Sequence, residues 1–234
     1  MAWILRDQIA TWDAGEWIVS VDLHTDPRLA IRRNGVDRFI ASVNPQDGDE
    51  APSETSLVLA DSYVRQRDLV AAYPEQAPLR FGYQTYVSVV DTDQCASECV
   101  SEDTNEDTSV AGNSSLLAIE CWLSVQTSTL EAYPQLILNL AAGDAKLAEQ
   151  SAEGVYLSSD KKTAVIVHPL DASDARLDKN SRDVQTLVAF GRFMEKGVIR
   201  RLRARIILSD QPMEAEEWKA CREIFANSPL PLTT

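Results

Sequence analysis

Leu29-Ala30-Ile31-Arg32-Arg33-Asn34-Gly35-Val36-Asp37-Arg38-Phe39-Ile40 is the stretch on which the fold turns. Two short apolar-rich runs flank Asn-Gly, the pair that most readily supplies the two positive φ angles of a type I′ turn. The stretch therefore predicts a β-hairpin, and with it an antiparallel neighbourhood. On its N-terminal side, Trp12 to Trp17 reads as a turn between two more strands, after which Trp17, Val19 and Val21 alternate with Ile18, Ser20 and Asp22.

On the C-terminal side the same period of two keeps returning. Residues 44–55 are polar and read as a loop, 56–60 and 68–72 as short strands, and 79–90 as a long strand. One face of the long strand carries Leu79, Phe81, Tyr83, Thr85, Val87 and Val89. Within 115–127, Leu117, Ile119, Cys121, Leu123 and Val125 alternate with Ala118, Glu120, Trp122, Ser124 and Gln126, as a half-buried strand requires. Residues 136–140 make another strand, and 141–151 a short helix or loop. Hairpins are predicted about Ser159-Asp160-Lys161-Lys162 and about Met194-Glu195-Lys196-Gly197, separated by a polar crossing loop over 169–183. The chain ends differently. Over 214–225, Trp218, Cys221, Ile224 and Phe225 share one side of a helix. The expectation is a mostly β chain: an antiparallel sandwich of two packed sheets, with a single C-terminal α-helix covering a sheet edge or face. Residues 1–234 are read as one domain.

Charge narrows the function classes. The net charge is −14, and ten of the 36 acidic residues lie between Arg80 and Lys146, where no Lys or Arg occurs. A nucleic-acid partner needs a net basic footprint, so none is expected. The segment 91–114, rich in Ser, Thr, Asp and Glu, reads as a mobile acidic loop. It matches a calcium loop at Asp91, Asp93 and Glu102, but Cys95 and Ala96 stand where an oxygen ligand and a glycine are needed. Apolar runs are too short to span a bilayer, and charge interrupts the N-terminus at once, so no membrane partner and a cytoplasmic location are expected. Four cysteines without paired CxxC motifs give no zinc site, and no cofactor or metal is expected.

No phosphate loop, nucleophile elbow or metalloprotease motif occurs. Candidate chemistry therefore rests on a few residues. His24, between Asp22 and Asp26, and His168, before Pro169, are the only histidines and the weak candidates for catalysis. Arg201, Arg203 and Arg205 alternate along a strand and share a face. Three like charges at that spacing repel, so carboxylates or an anionic or polyhydroxylated ligand should meet them. Trp122, on the polar face beside Glu120 and Gln126, is a stacking candidate for a sugar ring. These residues point to a ligand-binding or interaction module for carbohydrate or another small polar ligand. The alternatives are a sugar epimerase-like enzyme with a histidine–carboxylate pair, and a structural protein that assembles as a homo-oligomer.

Overall fold

The computed structural model describes residues 2–24, 27–48, 57–90, 116–149, 154–178 and 185–228. In chain order the strands begin with β1 (Ile4–Arg6), β2 (Ile9–Ala14), β3 (Trp17–Asp22), β4 (Arg28–Arg33) and β5 (Val36–Asp47). Next come β6 (Asp61–Arg65), β7 (Asp68–Tyr73), β8 (Gly82–Val90), β9 (Leu116–Gln126), β10 (Pro134–Ala141) and β11 (Leu147–Glu149). The last are β12 (Val155–Ser158), β13 (Thr163–Val167), β14 (Ala175–Asp178), β15 (Gln185–Phe190) and β16 (Ile199–Ser209), followed by the helix α1 (Ala215–Asn227).

These strands form two antiparallel eight-stranded sheets. The first has the order β1-β2-β3-β4-β5-β10-β15-β14 and the second β11-β12-β13-β16-β9-β8-β7-β6. The sheets pack face to face because each strand turns alternate side chains inward. Val19, Ile31, Phe39, Leu136 and Leu187 from the first sheet join Leu69, Val87, Ile119, Val125 and Val167 from the second in one buried core. Each such side chain contributes about 1.5–3 kcal/mol of transfer free energy. The Asn34-Gly35 hairpin joins β4 to β5 as the sequence requires, with φ of +48° and +80° at the two turn residues.

Polar groups tie the sheets at their ends. The buried Asp47 carboxylate, at the end of β5, accepts from the Arg80 backbone N–H (3.2 Å), Arg80 Nε (2.7 Å) and the Tyr133 N–H (2.9 Å). At another corner, Arg33 of β4 pairs with Glu16 and with Asp210, just past β16, and lies over the Trp17 ring.

Several local expectations give way. The β5 strand runs on through Asn44 to Asp47, into the stretch read as loop. Beyond Ser42 it has lost β4 as a neighbour, and an edge tolerates Pro45. The strand expected at 56–60 is instead β6, which pairs Asp61–Arg65 with β7. Residues 141–149, within the stretch read as a short helix or loop, form a tight turn at Gly143 and then strand β11. The crossing loop holds a short 3-10 turn (Ala172–Asp174) and strand β14. The third hairpin does not form. At Phe190 and Gly191, with φ of +67° and +89°, the chain leaves the first sheet, and β16 enters the second. Met194 is fully buried on the way, bridging to Ala132, so the connection is an inter-sheet crossing. The acidic segment 91–114, with its calcium-loop positions and Cys95 and Cys99, lies outside the described residues. No helix among the described residues is long and apolar enough to cross a membrane.

Candidate functional site

The outer face of the second sheet is where the candidate residues collect. Inward-facing residues of β16 include Leu202 and Ile206, which leaves Arg201, Arg203, Arg205 and Ile207 on the outer side. The helix α1 covers part of that outer face. Its residues Trp218, Cys221 and Phe225 pack on Val155 and Leu157 of β12, Ala164 and Ile166 of β13, and Ile207. The β12–β13 turn anchors the start of the helix: the Lys161 carbonyl accepts from Met213 N–H at 2.8 Å, and Lys161 Nζ stands 3.8 Å from Glu214.

Two of the three arginines are buried beside the helix and paired. Arg203 Nε donates to Asp171 Oδ2 at 2.9 Å. The same carboxylate oxygen accepts the Arg203 backbone N–H at 3.1 Å, serving the strand edge where β13 has ended. Arg205 pairs through Nη2 with Glu120, its direct cross-strand neighbour on β9. Its guanidinium lies 4.6 Å from the Phe225 ring centroid, and Nε and Nη1 meet no hydrogen-bond acceptor. The aromatic face offsets part of that deficit through cation–π attraction. Arg201 is exposed and meets no carboxylate among the described residues.

His168 completes this cluster. It is 3% exposed, and its ring stands edge-on to Phe225 at 5.2 Å. Nδ1 lies 2.8 Å from Arg203 Nη2 and 3.2 Å from the Leu170 backbone N–H. Both neighbours can only donate, so Nδ1 accepts twice and the ring is neutral with its proton on Nε2. Nε2 faces the Ala226 backbone in the last turn of α1 without reaching full hydrogen-bond geometry. Burial, then the Arg203 charge, hold its pKa below the ordinary histidine value.

Beyond the helix the same face stays open. Register places Arg203, Trp122, Tyr86, Val70 and Tyr63 in one row across five strands. Trp122 is buried, 6.0 Å from the Arg203 guanidinium and 6.4 Å from Tyr86. Tyr86 is half-buried and Tyr63 is 42% exposed. Burial, then the neighbouring Tyr63 hydroxyl, raise the Tyr86 pKa. The next row holds Arg201, Ser124 and Gln84. Two tyrosines, a guanidinium, an amide and a hydroxyl thus share a strip floored by Trp122.

The structure brings His168, Trp122, Arg203 and Arg205 together, with Arg201 at their margin. His24 stands apart, at the end of β3 in the first sheet, half exposed, with Nδ1 2.6 Å from Asp22. Burial of Asp22 works against its ionisation, but the hydrogen bonds from His24 prevail and hold its pKa low. Sequence reading missed Asp171, Phe225 as a lid, and Tyr63. The Asp171-x-x-Asp174 turn carried no periodicity, and Tyr63 sat in a stretch not read as a strand.

Other hollows carry less chemistry. An apolar cavity of about 80 Å³ lies between the sheets, walled by Phe39, Leu123, Leu187 and Ile206. Cys121, half-buried, is on its wall, and burial pushes the thiol up to about 12. Two surface hollows of about 390 and 530 Å³ are lined by turns, one with Asp37, Asp144 and Asp160, the other with Glu75 and Gln126. Neither histidine lines any of these three. No group of three or more His, Cys, Asp or Glu among the described residues is placed to hold a metal ion. The chain matches no known family, no curated protein and no solved structure.

Proposed function

We propose that this chain is a non-catalytic binding module whose ligand surface is the open strip of the second sheet beside α1, and that its ligand is a polyhydroxylated, carbohydrate-like molecule. The observation that carries the reading is the strip itself. Tyr63 and Tyr86 offer ring faces, Gln84 and Ser124 offer planar and hydroxyl hydrogen-bonding groups, and Arg201 offers a guanidinium not engaged by a carboxylate among the described residues. Sugar rings present apolar C–H faces and equatorial hydroxyls, which suit aromatic surfaces and forked donors. Paired Arg203 and Arg205 act here as scaffold.

The enzyme alternative loses support from His168. A general base needs a free ring nitrogen within reach of substrate. Nδ1 is occupied twice, and Phe225 covers the ring. His24 lies on the other sheet. The assembly alternative loses support from the sheet edges, since among the described residues β1, β6, β11 and β14 are 3–5 residues long and short edges resist strand addition.

Calorimetric titration with neutral and acidic oligosaccharides, preceded by a glycan array, tests the proposal. Tyr86→Ala and Arg201→Ala should each weaken binding by about tenfold or more; thermal stability holds in Arg201→Ala, while Tyr86→Ala, which strips a half-buried ring from beside Trp122, lowers it without unfolding the chain. Binding that survives both substitutions, or no saccharide bound at all, removes the strip as the ligand surface.

A further inference from the structure

We infer that His168 is a pH-sensitive latch for the C-terminal helix: the neutral ring holds the last turn of α1 on the second sheet, and protonation releases it. The inference stands apart from the ligand reading and rests on what surrounds the ring. From the turn after β13 it meets the Leu170 N–H and the Asp171 carboxylate. From β16 it meets Arg203, with Arg205 next along the same face. From β9 the nearest charge is Glu120. From α1 it meets the Phe225 ring and the Ala226 backbone.

The charges in this cluster already balance. Asp171 is engaged by Arg203 and Glu120 by Arg205. A proton on Nδ1 would turn the sole acceptor for two N–H groups into a third donor, 2.8 Å from a guanidinium. It would also leave one uncompensated positive charge in a buried site, which proteins avoid by rearranging. The groups on two sides of the ring are strands of the sheet core. The movable side is the last turn of α1, whose contacts with His168 are a ring edge and an incomplete hydrogen bond. Release would uncover Ile166, Ile207 and the apolar side of the helix.

The sign follows from linkage. A histidine held below its ordinary pKa binds its proton more readily once the helix opens. The latch is therefore at full strength above about pH 6.5 and weakens as pH falls, with opening favoured toward a limit of about tenfold per pH unit until the closed ring itself titrates. Hydrogen exchange read by mass spectrometry, expressed as protection factors to remove the intrinsic pH effect, tests this between pH 7 and 5, above the carboxylate range. Peptides covering 221–227 should lose protection toward that tenfold-per-unit slope, whereas peptides from the β4–β5 hairpin should not. In His168→Gln, whose amide can accept from Arg203 without taking a proton, the slope should vanish. In His24→Gln it should persist. A flat profile in the wild type, or a slope retained in His168→Gln, overturns the latch. If the glutamine variant does not fold, the wild-type slope together with an NMR titration of His168 decides: a midpoint at or above 6.5 overturns it.

Discussion

Replacing Arg203 by alanine separates a structural arginine from a surface one. In the folded chain Arg203 gives Nε to Asp171 and Nη2 to His168, and it is 6% exposed. Alanine removes both donors and leaves the Asp171 carboxylate and the His168 Nδ1 lone pair facing a gap. Removing one partner of a buried ion pair costs about 3–5 kcal/mol. Asp171 is 16% exposed in its side chain and retains the Arg203 backbone N–H, so water and that bond recover part of the loss. The lower end, about 3 kcal/mol, is expected. For a chain of this size that lowers Tm by about 6–12 °C. Arg201→Ala, two residues away on the same face but exposed, should change stability by less than about 0.5 kcal/mol. Urea unfolding of both variants, with the Arg203→Ala/Asp171→Ala double mutant to close the cycle, measures this, and a coupling of about 1–3 kcal/mol is expected. If Arg203→Ala costs no more than Arg201→Ala, the pair does not hold this face together and the reasoning fails.

Three further outcomes follow from the same geometry. Asp47→Asn should lower stability by about 2–3 kcal/mol in denaturant unfolding, because the new amide N–H₂ points a donor at Arg80 or Tyr133, which are donors already. Gly82→Ala should cost about 1–3 kcal/mol, since a Cβ there would sit 2.9 Å from both the Tyr73 carbonyl oxygen and the Glu75 nitrogen. An unchanged melting curve would mean that this corner of β8 can shift. Cys121, with its thiol near 12, should resist aromatic disulfide reagents at pH 8 in the native state and react fully once urea unfolds the chain, and fast native labelling would show that the inter-sheet cavity opens to solvent.

Alternation carried the sheets from sequence to structure. The inward faces of β8 and β9 follow the period-two pattern, with Tyr83, Ile119 and Val125 all at 3% exposure or less. Asn34-Gly35 set its hairpin because its backbone demand is local and few other residue pairs meet it. Partner choice was not legible in the same way. Met194 to Gly197 looked like a hairpin turn, but a turn signal says only that the chain bends. Whether β16 returns beside β15 or crosses to β9 is decided by which face each strand must bury. Gly191 at φ +89° and buried Met194 mark the crossing, and neither carries a periodic signature.

The site illustrates the same limit at the level of single residues. Alternation put Arg201, Arg203 and Arg205 on one outer face, and like-charge repulsion called for partners, which Arg203 finds in Asp171 and Arg205 in Glu120 while Arg201 meets no carboxylate among the described residues. It could not say that the three would divide. That division comes from the helix, which lies over one end of the face and stops short of the other. Under Phe225 an arginine loses water and needs a carboxylate of its own; beyond the helix it keeps its water and needs none. His168 falls on the covered side, and burial beside Arg203 makes a neutral structural group of a residue that composition alone marks as a catalyst. The same boundary leaves Tyr63, Tyr86 and Arg201 accessible on a floor made rigid by Trp122 and the paired arginines. An accessible aromatic strip beside the helix is thus one consequence of where a thirteen-residue helix comes to rest, and the helix packs on the apolar patch that includes Ile166 and Ile207.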